Sequence, residues 1–407
     1  MQKKILEKYA DLILKIGVNI QPGQGLYIAC PIEKSDVAEI LAKRAYAFKA
    51  SIVRVHWENQ KFDRINYENA DLNCLCEVPK WLVDSKNYLV ENNYCYIAIS
   101  AENPNAFNGI DEKTLSNVAL ARGKALKKYS DAIMSNAIRW CVVSVPTNEW
   151  ANLVYNNSEN SEQKLFDAIC RTLRLNEPDP ISSWEEHILK LENRAKFLTQ
   201  ANFKYLHFES ENGTNLKVGL ATNHVWISAR EKAKDGKYFV ANMPTEEIFT
   251  APHKLRVDGI VKSTTPLCYN GNLIENFTLE FKRGKIVSFS AEKGYETLKY
   301  LLDIDKGTRM LGEVALIGKS SPVAKEKTLF YNTLFDENSS CHLALGKAYP
   351  TTVLEGELLN KKQLKALGLN DSIEHVDFMI GSDDLKITGV SDTNKKTPLF
   401  ESGDWVI

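Results

Sequence analysis

Short apolar runs alternate with amphipathic stretches through the first half of the chain. GLYIAC (25–30) is an unbroken apolar run of strand length. SDVAEILAKRAYAF (35–48) follows with apolar residues at helical spacing, and Ser35 stands where an N-cap would. SIVRVHW (51–57), YCYIAIS (94–100) and RWCVVSV (139–145) predict further strands, and KTLSNVALARGKALKKYSDAIM (113–134) predicts a helix between the last two. Strand and helix in alternation predict a largely parallel sheet covered on both faces.

The pattern breaks around NEPDPISS (176–183), where two prolines sit among polar residues. Ser183-x-x-Glu186 then offers a capping box for the helix WEEHILKLENRAKFLTQ, which reads as a bridge between two halves. Beyond it, KYLHFES, NLKVGL, HVWIS, FTLEFKRGKIVSF and VDFMIGS are strand-like, and Asn212-Gly213 and Arg283-Gly284 are hairpin turn signals. The expected architecture is an α/β N-terminal domain with a largely parallel sheet (1–185) and a mixed α+β C-terminal domain (186–407) that carries the chemistry.

Size and charge narrow the partners. At 407 residues the chain exceeds what one hydrophobic core serves, in keeping with two domains. Its formal net charge is -1, from 51 basic and 52 acidic residues. That balance supplies no long-range field for nucleic acid or an anionic membrane. At the N-terminus Ile5, Tyr9, Leu12 and Ile16 fall at helical spacing among Glu7, Lys8, Asp11 and Lys15, unlike the unbroken apolar run of a secretory leader. No stretch approaches the roughly 20 apolar residues that cross a bilayer, so a cytoplasmic chain is expected. The eight cysteines are scattered, and Cys74 and Cys76 stand too close for the usual zinc spacing. Several others, such as Cys95 and Cys141, lie in apolar runs and read as buried reduced thiols. No G-x-G-x-x-G or Walker pattern supports nucleotide binding in the first half.

Candidate chemistry gathers in four segments of the second half. In SIEHVDFMIGS, strand alternation puts His375 and Asp377 on one face and Val376, Phe378 and Ile380 on the other. An imidazole and a carboxylate two apart can meet one metal ion, although a surface His beside a surface Asp has the same pattern. In LFDENSSCHLALGKAYP, Gly346 and Tyr349 follow His342 by four and seven, so a helix would bring His342 and Tyr349 to one face. Asp336 and Glu337 in the same segment read as a solvated loop. LGEVALIG (311–318) is an apolar strand holding one carboxylate, Glu313, which needs solvent, a cation or an ion pair with Lys319. In NMPTEEIFTAPH, Glu246 and Glu247 are adjacent, and neighbouring carboxylates repel unless a metal or a shared proton divides their roles; an exposed acidic turn is the plainer alternative.

Taken together, NMPTEEIFTAPH, GEVALIG, LFDENSSCHLALGKAY and HVDFMIGSDDLKITG resemble the metal-site motifs of the thermophilic-aminopeptidase family of metallopeptidases. Weaker similarity runs through VNIQPGQGLYIACPIE, RWCVVSVPTNEWA and DPISSWEEHILKLENRAKFLTQ, so the resemblance spans essentially the whole chain. It implies that Glu247, Glu313, His342, His375 and Asp377 are metal ligands and that Tyr349 is a ligand or a catalytic hydroxyl. It further implies a homodimer that removes N-terminal residues from peptides with a free amino end, using zinc, cobalt or a related ion such as manganese.

Five ligands without a thiolate suit two divalent ions sharing a carboxylate. Glu313 is the expected bridge, because its strand offers it least solvent. Glu246 is the expected general base, a role it loses if Glu247 lies on a regular strand and turns its neighbour away. Two rivals stay open on sequence: a metal-dependent hydrolase of another small amide or ester, and a metal-binding protein without catalysis.

Overall fold

The computed structural model describes residues 3–269 and 272–407. The chain folds into two compact units, Met1–His187 with Arg230–Pro244, and Ile188–Ala229 with Thr245–Ile407.

In the first unit, β1 (Gly25–Pro31), β2 (Ile52–Glu58), β3 (Cys95–Ile99) and β4 (Trp140–Val143) form a sheet in the order β2-β1-β3-β4. Every pairing in it is parallel, as the alternation of strand and helix predicts. The amphipathic N-terminal segment forms α1 (Lys3–Leu12), which buries Leu6, Tyr9, Ala10 and Leu12. Its Tyr9 hydroxyl donates to the Ser144 carbonyl at 3.0 Å, so the one polar atom on that buried face is satisfied. The second helix, α2 (Ser35–Ala47), buries Val37, Ala38, Leu41 and Ala45. The helix expected over 113–134 is two, Glu112–Ala125 and Lys127–Met134, because Leu126 leaves helical geometry at φ -93° and ψ 12°. Residues Arg230–Pro244 return to this unit and line the β4 edge, where Val142 donates to Ala241 at 2.7 Å and receives a bond from Met243 at 3.0 Å.

Helix α3 (Pro180–Ala201) starts before the Ser183 capping box that the sequence offers. Asp179 Oδ1 accepts from the N–H groups of Ile181 and Ser182 at 3.1 and 3.3 Å. Pro180 occupies the first turn, where its missing N–H has no intrahelical partner to lose.

The second unit holds an eight-stranded antiparallel sheet and a smaller four-stranded one. Both expected hairpins exist in the larger sheet. Tyr205–Glu209 pairs with Asn215–Leu220, and Thr278–Lys282 with Lys285–Ser290. In the second turn Arg283 and Gly284 both have positive φ, the signature of a type I′ turn. HVWIS is not a strand: His224 and Ile227 make only isolated bridges, and the Trp226 N–H goes to Thr199 Oγ1 instead of a strand neighbour. The smaller sheet comprises β5 (Ile248–Thr250), β6 (Leu311–Leu316), β7 (His342–Gly346) and β8 (His375–Met379), in the order β8-β7-β6-β5 and antiparallel throughout. Every residue of β6 and β7 is buried.

Of the seven cysteines described, Cys30, Cys95, Cys141, Cys170 and Cys341 are buried, Cys74 is exposed, and none is disulfide-bonded; the side chain of Cys268 lies outside the description. No helix among the described residues is long and apolar enough to cross a membrane.

Candidate metal centre

The small sheet collects the acidic and imidazole side chains on one face. Across it, Ala315, His342 and Met379 form one row, and Glu313, Ala344 and Asp377 form the next. Gly346 pairs with His375 one row further on. Residues in register share a face, and so do residues two apart on a strand. Glu313, His342, His375 and Asp377 therefore point the same way, with alanine or glycine between them. Phe249 pairs with Ala315 and joins that face. Glu247, immediately before β5, reaches the same cluster, its Oε2 lying 3.4 Å from His342 Nε2.

One irregularity makes this possible. Leu311 pairs with Leu345, yet Glu313 pairs with Ala344, so Gly312 and Glu313 together span a single step of β7. In unbroken register Glu313 would oppose Leu343 and point into the apolar side. The β-bulge reverses its direction. Glycine is what fits there, because a Cβ on Gly312 would stand 2.3 Å from the Lys347 carbonyl oxygen.

Distances confirm the convergence of these side chains. His342 Nε2 lies 3.4 Å from both Glu247 Oε2 and Glu313 Oε1 and 4.0 Å from Asp377 Oδ1. His375 Nε2 lies 3.8 Å from Glu313 Oε2 and 3.4 Å from Asp377 Oδ1. Two overlapping donor sets result, Glu247–Glu313–His342 and Glu313–His375–Asp377, each with its donor atoms within 4.8 Å of one another. Each imidazole turns its other nitrogen to a backbone carbonyl: His342 Nδ1–H donates to Ser340 at 3.3 Å and His375 Nδ1–H to Lys347 at 2.7 Å. Such bonds fix the tautomer that leaves the Nε2 lone pair facing inward.

His342 reaches this cluster from a strand and not from the helix its spacing suggests. HLALG bonds to β6 on one side and β8 on the other, and Gly346 closes it at φ 103°. A Cβ at Gly346 would meet the Glu374 carbonyl oxygen at 2.1 Å, so the sharp exit needs glycine. That exit carries Tyr349 back to the site, where its ring centroid lies 4.8 Å from that of His375 and 6.3 Å from that of Phe249.

The electrostatics are those of buried anions short of positive charge. Burial alone would depress the His342 imidazole, yet Glu313, Asp377 and Glu247 overcome it and hold its pKa up to about 10. His375 is likewise desolvated and is raised to about 9, chiefly by Asp377 and Glu313. Burial pushes the Glu247 carboxyl to about 8, with His342 opposing and Glu313 and Asp377 adding to the rise. Asp377 Oδ1 is buried without a well-aligned hydrogen-bond donor, its 3.4 Å approach to His375 being an ion-pair contact. Tyr349 is raised by desolvation first and then by the surrounding carboxylates, so its hydroxyl keeps its proton. Such a cluster is expensive to bury unless cations compensate it. An all-oxygen-and-nitrogen donor set around a shared carboxylate fits hard or borderline divalent ions.

Two glutamates stand outside both donor sets. Glu246 is buried, and its backbone N–H donates to Asn338 Oδ1 at 2.7 Å. Glu337, read from sequence as part of a solvated loop, is instead half-buried beside the cluster. Desolvation and then the charges of Glu247 and Asp377 raise its carboxyl well above the usual range. The loop reading fails because Asp336 and Asn338 on either side spend their side chains on internal hydrogen bonds and fold the turn inward.

Comparison with known proteins gives a consistent answer. The family model described as thermophilic metalloprotease (M29) matches residues 2–405. Aminopeptidase 2 of Geobacillus stearothermophilus is 44% identical over 405 residues, covering 99% of this chain and 98% of that protein. Aminopeptidase PepS of Streptococcus thermophilus is 41% identical over 408 residues, covering 100% and 98%. The solved structure of wild-type AmpT from Thermus thermophilus matches at 35% identity and a TM-score of 0.93, covering 100% of both chains.

Proposed function

From the premise that this chain belongs to the thermophilic metalloprotease (M29) family and is a metal-dependent peptide hydrolase, we propose that it removes N-terminal residues from peptides at a pair of divalent ions. Glu247, Glu313 and His342 would hold one ion, and Glu313, His375 and Asp377 would hold the other. The observation that carries it is the position of Glu313, whose Oε1 faces His342 at 3.4 Å while its Oε2 faces His375 at 3.8 Å. A carboxylate divided between two imidazoles is what a bridging ligand requires. When bound, such ions supply Lewis acidity, lowering the pKa of a shared water and polarising the scissile carbonyl.

The protein's own groups do the positioning. The carbonyls of Ser340 and Lys347 keep both imidazoles in the tautomer that ligates. Tyr349, protonated throughout the working pH range, donates a hydrogen bond to the oxygen that gains charge as the carbonyl carbon becomes tetrahedral. Capture of the free α-amine at the same site restricts cleavage to the first peptide bond. The substrates are peptides with an unblocked amino end, and the working form in this reading is a cytoplasmic homodimer.

Leucine release from a leucyl peptide, with and without a chelator, tests the activity; the N-acetylated peptide should be left intact. Metal content measured by mass spectrometry should be two ions per chain. Glu313→Ala should lose the second ion and the activity together, and full occupancy in that variant would refute the bridge.

A further inference from the structure

We propose that the first unit binds a free α-amino acid on one face of its parallel sheet, with Lys86 receiving the carboxylate and Glu58 and Glu102 the ammonium. Strand register sets the place. Arg54, Tyr27, Tyr96 and Trp140 form one row across β2, β1, β3 and β4, and His56, Ala29, Ala98 and Val142 form the row two residues nearer the carboxyl ends. Both rows share a face. The opposite face is apolar, with Leu26, Ile28, Cys95, Ile97 and Cys141 buried. Glu58 ends β2 opposite Pro31, two residues on from His56, and Glu102 follows the end of β3. The strand order β2-β1-β3-β4 reverses between β1 and β3, and ligands of open parallel sheets settle at the carboxyl ends beside such a reversal.

The charges on this face are separated and not paired. Lys86 comes from the helix Lys80–Glu91, and its ammonium lies over three tyrosine rings, 4.7 Å from the centroid of Tyr27, 5.7 Å from that of Tyr129 and 5.9 Å from that of Tyr96. Among the described residues it donates to the Tyr27 hydroxyl at 3.3 Å and forms no ion pair. The Glu58 side chain, also half-buried, makes neither a hydrogen bond nor an ion pair among them. Burial and then Glu102 raise its carboxyl, Lys86 opposes them, and Asp63 adds to the rise. Burial in turn lowers the Lys86 ammonium, with Glu58 opposing. The Tyr129 hydroxyl, from the helix Lys127–Met134, is buried without an acceptor, which leaves donors in excess at the Lys86 end. Opposite charges that are desolvated without meeting are costly, and a molecule carrying both charges satisfies both.

The arrangement selects a ligand by its charges. Lys86 Nζ and the Tyr27 hydroxyl offer charge-assisted bonds to a carboxylate. Glu58 and Glu102 offer the same to an ammonium, and Glu102 is held in place by Ser100 Oγ, which donates to its Oε2 at 2.8 Å. Between the tyrosines and the glutamates the central places of the row are Ala29 and Ala98, so the sheet offers methyl groups to the carbon that joins the two charges. A divalent cation would be repelled by Lys86, and an anion without an amine by the two glutamates. An α-amino acid carries the ammonium and the carboxylate on one carbon. None of these side chains belongs to either metal donor set.

Calorimetric titration of the full-length, chelator-treated protein with leucine tests the site without a contribution from bound metal. Leucine should bind with unit stoichiometry, and N-acetylleucine and leucinamide, each lacking one charge, should bind at least about tenfold more weakly. Lys86→Met keeps an unbranched stem over the tyrosine rings and removes the cation, and Glu58→Gln removes an anion. Each should weaken leucine binding at least about tenfold while melting close to the wild-type temperature. Unchanged leucine affinity in Lys86→Met overturns the proposal, as does equal affinity for leucine and its two blocked forms, or no saturable heat with leucine at about 10 mM. The comparison of leucine with the blocked forms needs only the wild-type chain, so it decides the matter even where a variant fails to fold. Chelator-sensitive peptide hydrolysis is measured separately, and the function proposed above stands or falls on that alone.

Discussion

Glu313 pairs with Ala344 one position out of step with the Leu311–Leu345 pair that precedes it on the same two strands. The extra residue, Gly312, turns a carboxylate that alternation would bury among leucines onto the face that carries His342 and His375. The bulge is thus a condition for the ligand cluster and not a local defect.

Gly312→Ala should disturb that face. Its Cβ would meet two backbone oxygens, of Lys347 at 2.3 Å and Gly346 at 2.5 Å, neither of which can swing aside as a side chain would. The expected outcome is metal content below two ions per chain and activity lowered at least about tenfold, with a stability loss of about 1–3 kcal/mol from overpacking. Mass spectrometry of metal content and a thermal melt on one preparation check both effects.

Ala344 separates Glu313 from Asp377 along their row, and its side chain is fully buried. A leucine there would occupy the space in which the two carboxylates and His342 converge. Ala344→Leu should therefore abolish metal uptake while costing only about 1–3 kcal/mol of stability. A folded variant that still bound two ions would show that the ions lie elsewhere.

Removing metal should reverse the way stability responds to alkali. In the metal-free protein Glu247 titrates at about 8, His375 at about 9 and His342 at about 10, all above their unfolded values. Glu247 binds more protons folded than unfolded between about 4.5 and about 8, and the two imidazoles do so from about 6.5 up to about 9 and about 10, so the stability each contributes is present below its unfolded pKa and lost as pH rises through its folded one. Asp377 is shifted the other way and matters only in acid. Chelator-treated protein should lose on the order of a few kcal/mol, several degrees in Tm, between pH 6.5 and pH 9.5. Metal-loaded protein should not, because its ligands are already deprotonated. A flat or rising Tm in the metal-free protein contradicts this account of the cluster.

The legible parts of this fold were those with a period. The parallel sheet follows from alternating strand and helix, and His375 and Asp377 share a face because a strand repeats every two residues. His342 was harder, since a five-residue apolar run fits strand or helix, and Gly346 and Tyr349 happen to follow at helical intervals. What decides it is pairing with β6 and β8, partners distant in sequence. The bulge at Gly312 leaves no trace in a pattern that reads as one apolar strand. Glu337 was hidden by its polar neighbours, because a turn folded inward by Asp336 and Asn338 has the same composition as one in solvent.

Tyr349 separates ligation from catalysis. Its ring packs against His375, with centroids 4.8 Å apart, and Tyr349→Phe keeps that contact while removing the hydroxyl. Desolvation and the nearby carboxylates raise the pKa of its hydroxyl, and in the reading proposed above that hydroxyl is a donor. A donor to the developing oxyanion acts mainly in the transition state, so kcat should fall by about 10²- to 10³-fold with KM and metal content nearly unchanged. A phenolate ligand would behave differently: Tyr349→Phe would then release an ion, and excess metal would restore activity. Titrating the variant with metal while following turnover distinguishes the two, and restoration would remove the hydroxyl from the chemistry.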